Sequence, residues 1–239
     1  MKRVAIVQSN YIPWKGYFDL IGSVDEFIFY DDVQYTRRDW RNRNKIKTAG
    51  GLQWLTVPVS AKGRYHQTIR ETALDGDRWV EKHLRSISQG YAQTPHFEEV
   101  SALLSPVYRR GHTLLWKLNH ELIAAVCGYL GIRTLLTDCQ DYRPEGNPSE
   151  RLASLCRQAG ADEYVSGPAA RTYLDEGVFR AQGIGVRWFD YSGYPEYPQQ
   201  WGPFEHHVSV IDLLFNCGPG SARWLERGPA GIRRTEESG

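Results

Sequence analysis

Between residues 10 and 47 the chain gathers residue types that could hold and transform an anionic ligand. Tyr11, Trp14 and Tyr17 surround Pro13 and Gly16, and the paired carboxylates Asp31 and Asp32 follow. Arg37, Arg38, Arg41, Arg43, Lys45 and Lys47 then place six cations within eleven residues, against the single acid Asp39. Arginine forks match the oxygens of phosphates and carboxylates, and aromatic faces accept flat rings or cations. The run Trp40-Arg41-Asn42-Arg43-Asn44 therefore suits a ligand that carries both a ring and negative charge. Asp31 and Asp32 have the chemistry to move protons. The plainer alternative puts the tryptophans in the core and the arginines in solvent. Stacking plus phosphate pairing also holds single-stranded or transfer RNA. A net charge of +1 over 239 residues favours a small anion or a narrow contact instead.

Two distal stretches add candidates. Ser166-Gly167-Pro168 closes an apolar run and leads toward Arg171, which reads as a small polar turn at a strand end. His206 and His207 stand at a helix entrance after a loop rich in Pro and aromatics, where one of them could serve as acid, base or phosphate contact. Ser209 in the same place reads as a helix cap, with Asp212 three residues on. Cys127, Cys139, Cys156 and Cys217 are too far apart for a zinc site, and no other spacing suggests a metal. They read as reduced structural thiols.

The elements that must position these residues can be read from periodicity. The apolar run 3–8, the amphipathic segment 17–26 and the apolar run 27–32 give strand, loop, helix and strand, the opening of a parallel α/β sheet. The basic segment 36–51 lacks either period and ends in a Gly pair, so it reads as an ordered loop, followed by a third strand over 52–60. A helical insertion spans about 77–132. After it come strands over 132–138, 162–167 and 186–191, alternating with helices over 147–160 and 172–183, and a last helix over 207–218. One α/β domain is expected over 1–227 and a disordered tail over 228–239. Ligands bind beyond the carboxyl ends of parallel strands. Asn10, Tyr11, Trp14, Lys15 and Tyr17 in the first loop should then border the same crevice as Asp31, Asp32 and Gln34 after the second strand. The helix beginning near Gly16 offers amides to a phosphate. The N-terminus has no secretory signal pattern and no stretch reaches the roughly 20 apolar residues that cross a bilayer, so a cytoplasmic location is expected.

The turn P-W-K-G-Y has a rough likeness to the P-H-x-G-H loop of nucleotidylyl transferases, although both histidine positions are aromatic here. Four longer blocks, "QSNYIPWKGYFDLI", "DEFIFYDDVQYTRRDWRNRNKIKT", "YVSGPAARTYLD" and "YPEYPQQWGPFEHHVSVIDLLFNCG", together resemble the WbqC-like family of bacterial proteins. The likeness runs from about Val4 to Trp224. It implies a setting in surface-polysaccharide and other specialised biosynthesis, including pathways that decorate amino sugars, and it carries no established catalytic set.

The expectation from residues and resemblance together is a biosynthetic enzyme of the transferase or ligase kind. It would form an amide by acyl or aminoacyl transfer to an amine such as a nucleotide-linked amino sugar. Arg38, Arg41, Arg43 and Lys45 would pair phosphates, Trp14 or Trp40 would stack, and Asp31, Asp32 or His207 would handle protons. Transfer RNA could be the aminoacyl donor. One rival is an adenylating or nucleotidylyl-transfer enzyme that uses ATP and Mg²⁺ with Asp32 as a ligand. Another is a non-catalytic module that binds transfer RNA or a sugar nucleotide.

Overall fold

The computed structural model describes residues 1–225; the tail expected over 228–239 lies outside them. Short apolar runs become the strands of a five-stranded sheet: β1 (Arg3–Val7), β2 (Glu26–Phe29), β5 (Leu135–Asp138), β6 (Glu163–Ser166) and β7 (Gly185–Trp188). They lie side by side in the order β5-β2-β1-β6-β7, and every neighbour is parallel. The fold is α/β, as the strand, loop, helix, strand pattern predicts. The chain first winds outward through β2 to β5 and then returns past β1 to β6 and β7. The reversal leaves a crevice at the carboxyl ends of β1 and β6, where sheets of this kind bind their ligands.

Alternation along β1 and β2 sends side chains to two separate cores. Ala5, Phe27 and Phe29 pack with α1 (Lys15–Gly22), α4 (Leu115–Tyr129) and α7 (Val210–Cys217) on one face. Val4, Ile6 and Ile28 pack with Leu155, Cys156 and Phe179 from α5 (Pro148–Gln158) and α6 (Glu176–Ala181) on the other. A sheet buried on both faces needs apolar strands throughout, which is why these runs show little polar alternation. Helix α5 begins as its sequence predicts: the Asn147 side chain accepts from the amides of Ser149 and Glu150, and Pro148 occupies the first turn. Helices α2 (Arg78–Tyr91) and α3 (Phe97–Tyr108) precede α4 in the long helical stretch before β5. No helix among the described residues is long and apolar enough to cross a membrane.

The basic segment departs from its expected loop conformation. Its second half is strand β3 (Arg43–Thr48), paired antiparallel with β4 (Gly51–Thr56) through a two-residue turn, outside the parallel sheet. The third strand foreseen after it is therefore the other arm of a hairpin. The Arg/Asn alternation is a strand's period of two: Asn42, Asn44 and Ile46 turn inward, while Arg43 and Lys45 turn outward.

Tyr11, placed by sequence among the ligand contacts, is instead fully buried beneath α2. Its hydroxyl lies 2.8 Å from His83 Nδ1 and also meets Tyr108. His83 Nε2 lies 3.2 Å from the Thr56 carbonyl oxygen, to which it must donate, so Nδ1 accepts from Tyr11 and the ring is neutral. Burial lowers His83 to about 4, with the Thr56 carbonyl opposing. The unfolded chain thus takes up a proton near pH 6.5 that the folded chain refuses until about pH 4, so stability is full above pH 6.5 and falls as the pH drops through that window. The loss should approach about 3 kcal/mol. Urea denaturation of the parent and of His83→Phe at pH 7 and pH 4.5 checks this: the difference in stability between the two proteins should shrink at the lower pH.

Candidate functional site

Six side chains converge on a cavity of about 220 Å³: Asn10, Pro13 and Trp14 from the loop after β1, Trp40 and Asn44 from the basic segment, and His207 from the entrance to α7. The loop reaches this position through a strained turn. Ile12 has φ of 36°, a region that a β-branched residue adopts only under constraint. The constraint is Asn44, whose Nδ2 donates to the carbonyls of Tyr11 at 3.3 Å and Ile12 at 2.8 Å. The Tyr11 amide donates to the Trp40 carbonyl at 3.0 Å, which ties the same two segments again.

Trp14 forms the centre of an aromatic wall. Its ring lies 5.4 Å from Tyr191, meets Tyr194 edge-on at 5.7 Å and stacks on His207 at 6.0 Å with 24° between planes. Its indole covers the start of α1, and a Cβ at Gly16 would collide with that ring. Gly16 thus makes room for Trp14.

Below Asn10 lies Arg41. Its guanidinium donates to Asn10 Oδ1 and to Gln8 Oε1, the latter at 2.6 Å, and stands 3.7 Å from Asp39. The Arg41 carbonyl accepts from Asn119 Nδ2 at 2.9 Å, and the same amide nitrogen lies 3.2 Å from Ser9 Oγ. This network leads to Asp31, which is fully buried. Asp31 accepts from the Ser9 amide at 2.8 Å and from His120 Nε2 at 2.8 Å. The His120 ring stacks on Phe29 at 3.7 Å and meets Trp116 edge-on at 5.1 Å. A carboxylate behind a histidine fixes its tautomer, which leaves the other ring nitrogen with its lone pair free to accept a proton.

Asp32 faces a different partner. Arg70 holds it at 2.6 Å, also pairs with Asp138, and lies 4.5 Å from the centre of the Trp116 ring. Burial works against Arg70's charge, yet Asp138 and Asp32 raise it further above its ordinary range. Gln140 Nε2 adds a 3.3 Å contact to Asp32. Asp32 is therefore committed to an ion pair and is not free for Mg²⁺. No group of three His, Cys, Asp or Glu side chains among the described residues is placed to share a metal ion.

Several other sequence candidates lie away from the cavity. Lys15 is buried, with its ammonium 3.0 Å from the Pro195 carbonyl and ringed by Tyr194, Tyr197 and Phe204 at 5.1 to 5.5 Å; burial lowers it to about 8. A cation so enclosed anchors the 194–204 loop and does not reach a phosphate. Tyr17 is buried and donates its hydroxyl to the Gln8 carbonyl at 3.0 Å. Asn42 is buried and donates to the Val57 carbonyl at 2.7 Å. Arg43 and Lys45 lie over Trp54, at 4.3 and 5.4 Å. Arg38 is exposed with φ of 59° and gives its carbonyl to Arg43, while Gln34 donates to the Tyr65 carbonyl at 2.8 Å. Ser166 is buried at the end of β6, and Arg171 lies over Trp188 at 5.3 Å; neither lines the cavity. His206 packs its edge on Phe204 at 4.6 Å, and partial burial, then the charge of Lys15, lowers it. Ser209 is the cap of α7, accepting from the Ile211 amide at 3.3 Å.

His120, Arg70, Asn119 and Gln8 escaped the sequence reading. His120 lies 89 positions from Asp31 inside an amphipathic helix, and no local spacing advertises the pair. The one available signal is that Asn119 and His120, with Lys117 and Glu121 on either side, interrupt a mostly apolar helix.

The Asn44 clamp gives a direct test. Asn44→Ala removes both donors that hold Ile12, and should cost about 1 to 3 kcal/mol in urea denaturation. Asn44→Asp should do no better, because its carboxylate would face the same two carbonyl oxygens. A cost below about 0.5 kcal/mol in both variants would show that the turn holds itself.

No solved structure matches the chain. It is 58% identical over 226 residues, 94% of this chain and 98% of the other, to the uncharacterized protein Rv1507c of Mycobacterium tuberculosis (strain ATCC 25618 / H37Rv). Residues 8–224 match the WbqC-like protein family, and on that span the chain belongs to the family.

Proposed function

We propose that the protein is a biosynthetic transferase that forms an amide, moving an acyl or aminoacyl group onto the amine of a nucleotide-linked substrate such as an amino sugar. The observation that carries this reading is the His120–Asp31 pair, tied through the Ser9 amide to the loop that forms one wall of the aromatic cavity. Ser9, whose amide holds Asp31, immediately precedes Asn10 of the cavity wall. An acceptor amine is protonated at neutral pH and must lose a proton before it can attack a carbonyl, and histidine is the usual side chain for that task. His120 takes the proton. The amine nitrogen forms a bond to the acyl carbon, the donor's ester or thioester bond breaks, the second proton lost from the nitrogen leaves with the departing oxygen or sulfur, and the one held by His120 is released to solvent. Trp14 and Trp40 supply faces for the base of the nucleotide, and Arg41 supplies charge beneath Asn10. The association of this family with surface-polysaccharide and amino-sugar biosynthesis supports the same substrate class. The rival adenylating reading loses its metal ligand, because Asp32 is occupied by Arg70.

Nucleotides and sugar nucleotides titrated up to millimolar concentration should change tryptophan emission, and the change should shrink in Trp14→Phe or Trp40→Phe. If none of them alters emission in the parent protein, the nucleotide-linked acceptor is the wrong class. With an accepted substrate in hand, His120→Gln should lower kcat by about 10²- to 10⁴-fold. An unchanged kcat would remove His120 from the chemistry.

A further inference from the structure

The outer face of the β3–β4 hairpin is unusual for a protein of near-neutral charge. Trp40 and Trp54 are 42% and 43% exposed and lie 5.6 Å apart with 33° between planes, and Tyr65 is 76% exposed. Arg37, Arg38, Arg43, Lys45, Lys62 and Arg64 belong to the same region, and none of them forms an ion pair among the described residues. Where their heads are bonded, the partners are peptide carbonyls: Arg37 donates to Ala61 and Arg43 to Arg38, which leaves the charge unneutralised. Of the nearby acids, Glu205 lies within the field of Lys45 but accepts from the His207 amide, and two others are engaged elsewhere. Asp39 accepts from Thr36 Oγ1 and the Trp40 amide, and Glu71 accepts from Thr68. The segment 61–67 is joined to 34–37 by the Tyr35 amide on the Gln67 carbonyl at 2.9 Å and by Gln34 on the Tyr65 carbonyl. The hairpin face and the 61–67 segment are thus joined through residues 34–37, and Trp40 belongs both to the hairpin face and to the cavity wall.

We propose that this surface docks the single-stranded end of an RNA, and that this RNA carries the acyl group transferred in the cavity. The second clause rests on the amide-forming reading; the first stands on the surface alone. Three exposed rings and six unpaired cations exceed what one nucleotide can use, whereas a strand offers a base and a phosphate at each step. A duplex would hide its base faces from the tryptophans, and an acidic protein would leave the rings without partners. With the terminal base at Trp54, on the hairpin side of Trp40, an acyl ester on its ribose would reach toward the cavity that Trp40 lines. The ester C–O bond breaks as the amide C–N bond forms, and the ribose hydroxyl takes the proton, so the step needs no nucleoside triphosphate.

The test is fluorescence anisotropy of the full chain with a dye-labelled single-stranded RNA of about 12 nucleotides ending in CCA, over about 50 to 300 mM salt. The same sequence as a duplex and inorganic polyphosphate serve as competitors. The single strand should bind at least about tenfold more tightly than the duplex and lose affinity steeply with salt. Trp54→Ala should weaken it by about tenfold, and the double variant Lys62→Glu with Arg64→Glu by at least as much, with a shallower salt slope. Absence of binding, equal affinity for duplex or polyphosphate, or indifference to all three substitutions would each overturn the docking surface. Lys62 and Arg64 lie outside the cavity, so a nucleotide titration that succeeds while RNA fails sinks this inference alone. RNA binding without any nucleotide response would uphold the surface and overturn its role as acyl carrier.

Discussion

The buried carboxylate of Asp31 is the constraint on which the site depends. A carboxylate removed from water must be met by donors or give up its charge, at a cost of several kcal/mol. Two donors meet it: the Ser9 amide from the loop after β1 and His120 from α4. The carboxyl ends of β1 and β2 are thereby tied to a helix whose His120 lies 89 positions beyond Asp31. With Ser9 fixed, Asn10 and the strained turn at Ile12 follow in a set direction, and Asn44 has a defined place to bind. The charge that orders the loop is also the one that orients the histidine. Structural and chemical demands therefore fall on the same atoms, and neither can be relaxed without the other.

Much of the fold was legible because parallel strands and their helices announce themselves locally. Asn147, Pro148 and Glu150 mark the start of α5, and the runs at β1 and β2 are apolar because both faces are covered. The hairpin was missed because its alternation uses Asn on the inner face. A polar inner face looks like surface until it is known that Asn42 and Asn44 satisfy the carbonyls of Val57, Tyr11 and Ile12. The candidate site was half legible. Trp14, Trp40 and His207 sit in conspicuous aromatic or basic surroundings, and they share a cavity. His120 and Arg70 act through partners brought together only by the crossing of β1, β2, β5 and α4, a relation that no window of sequence contains.

Two buried lysines show how the far wall is kept in place. Lys15 in α1 holds the Pro195 carbonyl among three rings, and Lys47 in β3 holds Gln199 Oε1 at 2.7 Å and the Pro203 carbonyl. Beneath them Asp212 accepts from Tyr91, Tyr197 and Gln199 at 2.7 to 2.8 Å, and its burial raises its pKa despite those donors. The loop has little regular structure of its own, so side chains from elements on either side supply the bonds its backbone lacks. Cations that look in sequence like ligand contacts are used here as fasteners.

The ring of His120 is gripped between the face of Phe29 and the edge of Trp116, with Nε2 tethered to Asp31. An imidazole held in this way cannot turn over within a catalytic cycle, so its two nitrogens keep separate duties. Any proton it accepts from a substrate must depart through the same nitrogen by which it arrived. The order of events at such a base is then imposed by geometry: the group that delivered the proton has to withdraw, or the leaving group has to swing into its place, before the next cycle can begin.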